Sequence, residues 1–293
     1  MELLVTLKNK DILDRLVQMK VDGIVFGGPF SMKFDYSLDE IKEINENCLK
    51  HNIKRYIDID TFISEFDLKK LSEYLEFLSN LDIDGIYFND LAVINCASKF
   101  NLNNKLIYDT STLMTNTNDI SFYLEKGIDA VLARELTLDE IIEIVKIHPY
   151  KLDMQVFGYL RMSYSKRKFL SNYFKYINKD ENIVNKDDLS LVEESRNYKL
   201  PIKETEYGTC IYTDYVLLMY EEIAYLSKLL KRGIINSEFI DNETLFDLIR
   251  DAKRLNTENS VFLKSTFIYK HPHYRFSTGY LYQKTVNKKE ENE

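Results

Sequence analysis

The sequence predicts an α/β fold, a single (β/α)8 TIM-like barrel with an excursion after its seventh strand. Short β-branched or aromatic runs alternate with amphipathic segments of helical period over the first half of the chain, which is typical of parallel βαβ units. A similar phrase recurs before three of the runs, as VDGIVF, IDGIYF and IDAVLA, and indicates a weak internal repeat. One barrel domain can account for all 293 residues.

Seven strands are predicted before the excursion, each a short apolar run followed by a polar turn. Two of the intervening helices carry clear start signals, because Ser37 with Glu40 and Thr137 with Glu140 have the spacing of a capping box. These boxes fix where the helices begin, so the alternation does not depend on hydrophobicity alone. The predicted strands are Leu3–Leu7, Gly23–Phe26, Lys54–Ile59, Gly85–Phe88, Lys105–Tyr108, Ala130–Ala133 and Leu152–Phe157.

The pattern changes after Phe157, where a basic and aromatic stretch is followed by a polar one. We expect an insertion at about residues 158–207 within one domain of residues 1–290, and a disordered tail at residues 288–293, which has no apolar anchor. The barrel pattern then resumes. Its predicted elements are a strand near Gly208–Tyr212, a helix over Val216–Leu230 stopped by Gly233, an eighth strand at Ser237–Ile240 and a last helix at Thr244–Leu255.

The composition excludes several classes of protein. Apolar residues make up 45% of the chain and charged residues 29%, which is ordinary for a globular protein. Because no apolar run approaches the roughly 20 residues that cross a bilayer, and the N-terminus lacks the pattern of a signal peptide, we expect a cytoplasmic protein with no membrane contact. The net charge of −8 argues against nucleic-acid binding through the overall field, although local basic patches remain open.

The cysteines and histidines give little sign of a metal or nucleophilic site. Cys48, Cys96 and Cys210 are widely spaced and form no CxxC pair, so we expect buried free thiols rather than disulfides or a zinc knuckle. The four histidines fall at predicted helix ends or near the C-terminal region, and not at strand ends. A Ser-His-Asp or Cys-His arrangement is therefore poorly supported.

Polar residues cluster after the predicted strands, where a barrel of this kind carries its chemistry. A ring of such groups on one rim suits a small anionic or polar ligand. The Gly27-Gly28 pair in the same region predicts a tight turn that lets the backbone approach a ligand. The rim residues are Asp58, Asp60, Asn89, Asp90, Asp109, Thr112, Asn116, Arg134 and Glu135, together with residues 157–173.

The stretch at residues 157–173 is the most informative of these segments, because it interleaves basic and aromatic side chains. Basic groups pair with phosphate or carboxylate, and aromatic rings offer stacking surfaces for bases. The alternative is a solvated helix with an aromatic face toward the core. The candidate ligand or RNA contacts in this stretch are Arg161, Ser163, Tyr164, Ser165, Lys166, Arg167, Lys168, Asn172 and Tyr173.

Two other groups of rim residues also have two interpretations each. The Arg134-Glu135 pair is either an anion clamp beside an acid or part of a structural ion pair that ties two loops together. Asp58, Asp60, Asp90 and Asp109 could bind a divalent metal. The same carboxylates could instead pair with Arg55 or Arg134.

Several phrases together resemble the collagenase-like peptidase family U32, which also contains RNA-hydroxylation proteins. They are ELLVT, DGIVFGG, LSEYLEFLSNLDIDGIYFNDLAVI, DTSTLMTN, DAVLARELTLDEI and, above all, MSYSKRKFLSNYF. The later segments NYKLPIKETEYGT and STGYLYQKTV are similar to the shorter of two paralogues found side by side in many Gram-positive bacteria. The resemblance therefore covers essentially the whole chain.

The resemblance implies hydroxylation of the wobble uridine of certain transfer RNAs, giving 5-hydroxyuridine by prephenate-dependent chemistry. The short form resembles a subunit that works with a longer, cysteine-containing paralogue, so transfer RNA, that paralogue and a prephenate-like carboxylate are the implied partners. The family's older label implies proteolysis instead.

The chain departs from the family pattern at the positions best suited to redox chemistry. The family's VHG is here Val156-Phe157-Gly158, and the family cysteines before and after MSYS are here Arg161 and Lys168. Because arginine and lysine cannot replace cluster-binding thiolates, we expect no cofactor in this chain and place any iron–sulfur cluster in the partner.

Three hypotheses follow, and the sequence leaves open whether the chain is catalytic. The first is an accessory subunit of the transfer-RNA hydroxylation system. The second is a U32-type peptidase, for which Ser163, Ser165 and the rim aspartates are the available groups. The third is a degenerate barrel that binds a small carboxylate and acts as a regulator.

Overall fold

The computed structural model describes residues 1–179, 181–192, 194, 198–255 and 258–283, and a closed ring of eight parallel strands forms its centre. Each strand pairs in parallel with the next, and β11 pairs with both β1 and β7, which closes the ring. The predicted (β/α)8 barrel is therefore confirmed. The ring strands are β1 (Glu2–Thr6), β2 (Gly23–Phe26), β3 (Lys54–Ile59), β4 (Gly85–Phe88), β5 (Leu106–Tyr108), β6 (Asp129–Val131), β7 (Leu152–Ser165) and β11 (Arg232–Ile235).

Helices follow the strands on the outside of the ring. Both predicted capping boxes are present: the Ser37 and Thr137 hydroxyls accept from the amides of Glu40 and Glu140, whose side chains accept from the cap amides in return. The helices are α1 (Leu13–Gln18), α2 (Leu38–Lys50), α3 (Leu68–Ser79), α4 (Ala92–Ala97), α5 (Thr117–Leu124), α6 (Leu138–Ile147), α7 (Phe169–Tyr176), α8 (Tyr220–Leu226), α9 (Asn242–Arg254) and α10 (Ser260–Lys270). Short 3-10 turns lie at Lys10–Ile12, Glu65–Asp67, Ser98–Phe100 and Asn103–Lys105.

Apolar side chains fill both sides of the ring. The larger core lies between the strands and the outer helices. A smaller cluster fills the middle of the barrel interior, and burying each aliphatic or aromatic side chain there contributes about 1.5–3 kcal/mol. The interior cluster consists of Leu4, Val25, Phe34, Tyr56, Tyr87, Ile107, Val131 and Ile234.

A buried ion pair closes the barrel interior at the amino-terminal ends of the strands. Arg232 Nε donates to Asp153 Oδ1 at 2.7 Å, and the Tyr87 hydroxyl donates to Asp153 Oδ2 at 2.7 Å. The same guanidinium contacts Asp129 and lies over the ring of Tyr56. Burial raises the pKa of Asp153 to about 6, although Arg232 opposes the shift. This end of the barrel is thus filled by paired polar groups.

The excursion begins as a continuation of β7 beyond the ring. The outer half of β7 pairs antiparallel with β10 (Gly208–Leu218), and β10 pairs antiparallel with β9 (Leu200–Thr205). Two short strands complete the extension: β8 (Ser190–Leu191) pairs with β9, and β12 (Phe276–Ser277) pairs with β10. A small antiparallel sheet therefore stands beside the carboxyl ends of the ring strands.

The prediction for the second half of the chain was wrong in three elements. Val216 lies in β10, not in a long helix, because its run pairs with β7; the helix that follows is only Tyr220–Leu226. Gly233 lies inside the eighth strand, Arg232–Ile235, and does not end a helix. Residues 237–240 follow that strand and are not part of it. The inward Arg232 explains the error, because buried strands are expected to be apolar.

All three cysteines are buried free thiols, as predicted, and lie in α2, α4 and β10. Among the described residues, no helix is long and apolar enough to cross a membrane. The predicted disordered tail at residues 288–293 lies outside the described residues.

Gly158 is the point at which β7 leaves the ring, and replacing it with alanine is expected to destabilise the fold. Its φ is +101°, and an added Cβ would lie 2.2 Å from the backbone oxygen of Asn236. Gly127 also has a positive φ, +74°, but has no atom within 4 Å of the added Cβ. We expect Gly127→Ala to lower the free energy of unfolding by about 1–2 kcal/mol through strain alone, and Gly158→Ala to lower it by at least ~2 kcal/mol more. Urea denaturation of the two variants measures the difference, and equal losses would contradict the close approach.

Candidate functional site

Three buried carboxylates meet at the carboxyl ends of the ring strands. Asp58 lies in β3, Asp60 directly follows β3, and Asp109 directly follows β5. Each is less than a tenth exposed. Because carboxylates removed from water are costly unless they are paired, their neighbours decide what the barrel mouth can do.

Three cations neutralise these carboxylates. Lys33 Nζ lies 2.8 Å from Asp58 Oδ1 and 3.2 Å from Asp60 Oδ2. Arg161 Nη1 lies 2.6 Å from Asp60 Oδ2, and Arg134 Nη2 lies 3.2 Å from Asp109 Oδ2. We call these six side chains, Lys33, Asp58, Asp60, Asp109, Arg134 and Arg161, the mouth cluster. Its formal charges balance, so the mouth presents no large net field to an incoming molecule.

The loop between β2 and α2 folds back to place Lys33 in the cluster. Its Ser31 hydroxyl donates to Asp58 Oδ2 at 2.8 Å, and its Met32 amide donates to Asp60 Oδ1 at 2.7 Å. At Gly28 an added Cβ would lie 2.0 Å from the backbone oxygen of Tyr36. The predicted tight turn is present, and its closest neighbours belong to the chain itself.

The mouth cluster shifts the pKa values of its acids in opposite directions. Burial and the neighbouring Asp60 raise the pKa of Asp58 to about 7, although Lys33 and Ser31 oppose the shift. Burial also acts on Asp60, but Lys33, Arg161 and the Met32 amide outweigh it and hold the pKa of Asp60 below its usual range. Asp58 is therefore the acid that can exchange a proton near neutral pH.

The free space inside the mouth is small. The cavity among the cluster side chains holds about 20 Å³ and is also lined by Thr6, Gln155 and Asn236. That is room for about one water molecule. Arg134 Nε lies at this level, buried and with no hydrogen-bond partner among the described residues. A water or a single oxygen atom fits beside it, whereas an organic acid does not.

Two larger clefts flank the mouth. The first, which we call the aromatic cleft, has a volume of about 260 Å³ and is lined by Phe62, Leu113, Met162 and Tyr164 with several hydroxyl groups. The second, the lysine cleft, has a volume of about 300 Å³ and lies between the β2–α2 loop and β9. Its lining includes Lys8, Lys33, Lys203, Tyr36 and Tyr207. The mouth therefore opens toward two spaces of different chemistry.

Most of the other predicted rim residues hold loops. The Asn89 amide nitrogen donates to the backbone oxygen of Asp60 at 2.7 Å. Asp90 accepts from the amides of Ile63 and Ala92 at 2.8 and 2.9 Å. Asn116 caps α5 by accepting from the amides of residues 118 and 119. Thr112 lines the aromatic cleft, and Glu135 is exposed.

In the structure Arg134 forms a structural ion pair, which is one of its two predicted roles. Its guanidinium pairs with Asp109, and its amide donates to the backbone oxygen of Ser111 at 3.1 Å, so the loops after β5 and β6 are tied together. Asp58 and Asp60 pair with Lys33 and Arg161, and Arg55 pairs with Asp84. No sequence pattern singles out Lys33, because it lies in a loop seven residues after the end of β2.

The predicted basic stretch divides into a buried and an exposed part. Arg161 is buried in the mouth cluster, where Nη2 also donates to Ser111 Oγ at 3.3 Å. Tyr164 is half-buried, and Ser165 accepts from the Arg167 amide at 3.2 Å. α7 has no buried residue, so the alternative of a helix with an aromatic face toward the core is wrong. The exposed residues, which we call the basic strip, are Lys166, Arg167, Lys168, Phe169, Asn172, Tyr173 and Tyr176.

The structure gathers no set of ligands for an iron–sulfur cluster among the described residues, where Cys48, Cys96 and Cys210 lie in three different elements. Across the described ranges, no group of three or more His, Cys, Asp or Glu side chains could hold a metal ion. The pKa of the Cys210 thiol is raised by burial to about 12, despite the nearby Arg161, which leaves it protonated. The mouth therefore offers hydrogen bonds and charge rather than metal ligation.

No Ser-His hydrolytic arrangement is assembled among the described residues. His51, His148 and His271 follow the last residues of α2, α6 and α10, and His273 lies two residues further along. His271 is buried between Thr244 and Asp247, away from the mouth. Ser163 is exposed at the rim, so no histidine is placed to activate it.

The chain is similar in sequence to one protein family over nearly its whole length and to several curated proteins over part of it. The sequence pattern of peptidase family U32 matches residues 8–291. tRNA hydroxylation protein P2 of Bacillus subtilis is 32% identical over 204 residues, which are 68% of this chain and 65% of that protein. tRNA hydroxylation protein P1 of the same organism is 27% identical over 177 residues, 59% of this chain and 42% of that protein. An uncharacterized protease of Methanocaldococcus jannaschii is 28% identical over 144 residues, 47% of this chain and 35% of that protein. The matched stretch spans less than two thirds of the length of each relative.

The raised pKa of Asp58 predicts a specific dependence of stability on pH. An unfolded aspartate titrates near pH 3.9, whereas Asp58 in the folded protein titrates near 7. Between these values the folded state holds a proton that the unfolded state has lost, so stability falls as pH rises through the window and levels off above it. We expect this contribution, on the order of 1–4 kcal/mol, to be absent in Asp58→Asn.

The measurement is the difference in unfolding free energy between wild type and Asp58→Asn, taken from pH 4.5 to 8. The matched control is Asp82→Asn, at a carboxylate whose side chain is 66% exposed. A difference that stays constant with pH would contradict the assignment of the titrating group to Asp58.

Proposed function

The chain belongs to peptidase family U32, and on that premise we propose that it is a subunit of a system that hydroxylates transfer RNA. The names of two relatives, tRNA hydroxylation proteins P1 and P2, support this class of function. The observation that carries the proposal is the basic strip, which stands exposed beside the mouth cluster. We propose the wobble uridine as the target and 5-hydroxyuridine as the product.

The basic strip has the chemistry of an RNA-binding surface. Lys166, Arg167 and Lys168 are exposed, and no salt bridge of the described residues involves them. Phe169 and Tyr173 are 45% and 57% exposed. Cations bind phosphates, and exposed rings stack on unpaired bases. In a chain of net charge −8 such a strip also orients the RNA, because the rest of the surface repels it.

The fold holds the strip in its exposed position. The amides of Leu170 and Ser171 at the start of α7 donate to the buried carboxylate of Glu204 at 2.8 and 3.2 Å. The Phe169 amide donates to the hydroxyl of Thr209, which in turn donates to the backbone oxygen of Arg167. These contacts anchor the helix through its backbone, so its side chains stay available for a partner.

We further propose that the role of this chain is accessory. Arg161 stands where the resemblance places a cysteine, and it is committed to Asp60 in the mouth cluster. Any iron–sulfur cluster would then belong to a longer cysteine-containing paralogue that acts as the partner. Asp58, whose pKa is raised to about 7 by burial and by Asp60, is the acid of the mouth cluster that could hold or move a proton.

A prephenate-like carboxylate, if this chain binds one, does not fit the mouth cavity of about 20 Å³. The lysine cleft has room, about 300 Å³, and Lys8, Lys33 and Lys203 line it together with Asp35, Asp187 and Glu206. Lys33 and Lys203 already pair with carboxylates, so Lys8, whose ammonium donates to the backbone oxygen of Ile240, is the cation left to bind and orient the acid. The lysine cleft is therefore our proposed position for such a ligand. A regulatory barrel that binds only a small carboxylate would leave RNA hydroxylation unchanged when it is lost.

The proposed function predicts loss of 5-hydroxyuridine from transfer RNA when the gene is deleted. Restoring the wild-type chain should restore the nucleoside, whereas Arg134→Ala should restore it poorly, because Asp109 is left buried without its cation. Nucleoside mass spectrometry of bulk transfer RNA measures the effect, with an immunoblot to compare protein levels. Unchanged 5-hydroxyuridine in the deletion strain would overturn the proposal.

The basic strip itself predicts a charge-dependent affinity for transfer RNA. Arg167→Glu combined with Lys168→Glu should weaken binding at all sequences and lower the slope of log affinity against log salt by about 1 per lost phosphate contact. Lys42→Glu combined with Lys50→Glu, on the exposed face of α2, makes the same change in net charge and is the control. Filter binding across a salt series is the measurement, and equal effects of the two pairs would argue against the strip.

A further inference from the structure

We propose that the aromatic cleft receives a single unstacked base of the bound RNA. This inference rests on the proposed function and adds to it a subsite for one nucleobase beside the mouth cluster. The cleft of about 260 Å³ lies just below the about 300–1,000 Å³ of typical small-molecule sites, so it suits one ring system rather than a longer ligand.

The cleft has a rigid stacking platform. The rings of Phe62 and Tyr164 lie 4.7 Å apart, inclined by 23°. The Tyr164 hydroxyl donates to the backbone oxygen of Tyr207 at 3.1 Å and accepts from the Phe62 amide at 3.2 Å. The guanidinium of Arg161 lies 5.7 Å from the centre of the Tyr164 ring and is itself held by Asp60. The platform is therefore fixed before any ligand arrives, which lowers the entropic cost of binding.

Exposed apolar side chains border this platform. Phe62 is 46% exposed, Leu113 60% and Met162 43%, and all three line the same cleft. Apolar groups gathered around a cleft mark an interaction site more often than a plain surface. A flat base would cover them, with one face on a ring and its edge toward polar groups.

The polar groups of the cleft are neutral or already neutralised. Thr110, Ser111, Thr112 and Ser163 supply hydroxyls, which can donate or accept along the edge of a base. The charged lining residue, Arg161, is paired with Asp60 at 2.6 Å. A cleft of this kind favours an uncharged heterocycle over an anion.

The position of the cleft fits an RNA held on the basic strip. Ser163 lines the cleft, and Lys166 begins the strip three residues later. Three extended residues span at most about 10 Å. A nucleotide whose phosphates lie on the strip could therefore turn its base into the cleft, as proteins that read single-stranded RNA do with splayed bases.

Photo-crosslinking tests the inference directly. The probe is an anticodon stem–loop RNA that carries 4-thiouridine at one loop position at a time, bound to the full-length chain and irradiated. We expect one loop position to crosslink strongly to Phe62 or to residues 162–164, which line the cleft, with the residue assigned by fragmentation of the tryptic peptides 56–69 and 162–166.

The matched variants are Phe62→Ala and Phe66→Ala. Phe66 lies in the same loop region but is 93% exposed and outside the cleft. Because stacking on an aromatic ring is worth fivefold or more in affinity, we expect Phe62→Ala to lower the cleft crosslink by about fivefold or more and Phe66→Ala to leave it unchanged. Phe62→Leu, measured with its melting temperature, separates loss of stacking from loss of folding.

The outcomes distinguish the inference from the proposed function. Normal salt-dependent binding with crosslinks confined to the strip would overturn the base subsite and leave the proposed function standing. Crosslinks to the cleft that Phe62→Ala and Phe66→Ala reduce equally would also overturn it. Failure of the chain to bind the stem–loop at all would overturn both.

Discussion

Neutralisation of three enclosed carboxylates is the constraint on which the rest of this molecule depends. Asp58, Asp60 and Asp109 project where the ring strands end, and removing the partner of a buried charge typically costs 3–5 kcal/mol. All three compensating cations come from beyond the ring strands: Lys33 from the β2–α2 loop, Arg134 from the loop after β6 and Arg161 from the extension of β7. The antiparallel sheet of β9 and β10 holds that extension in place. The excursion therefore helps to neutralise the buried carboxylates of the mouth, because it holds Arg161 in position.

The sequence predicts the first seven strands of the ring well but places the eighth strand wrongly. Capping boxes at Ser37 and Thr137 and short apolar runs mark local boundaries that tertiary contacts do not change. The eighth strand was not predicted at Arg232–Ile235 because it begins with a charged residue that faces inward. Arg232 is stable there only because it pairs with Asp153, 79 residues earlier in the chain. The role of Lys33 was missed for the same reason. A lysine in a loop is recognised as part of a site only once the fold brings it against Asp58 and Asp60. Local patterns reveal local structure, whereas these charges are paired across long separations.

Neighbouring basic residues of this chain lie in two different environments. Within one continuous stretch, Arg161 serves the interior and Lys166 to Lys168 serve the surface. The environment changes from buried to exposed where β7 ends and α7 begins. The buried cation and the exposed cations are therefore only a few residues apart in the chain. The sequence pattern alone shows basic and aromatic residues in one stretch and cannot assign them to two environments, because the environment of each depends on which side of the rim it lies.

The Arg232–Asp153 pair gives the barrel a single entrance. Because the Tyr87 hydroxyl and the apolar layer above it fill the far end, any molecule that reaches the mouth cluster arrives and departs on the side where the basic strip stands. An RNA lying across that side would cover the entrance. Water held in the mouth cavity would then exchange with solvent only before the RNA docks or after it dissociates, because the far end of the barrel is closed.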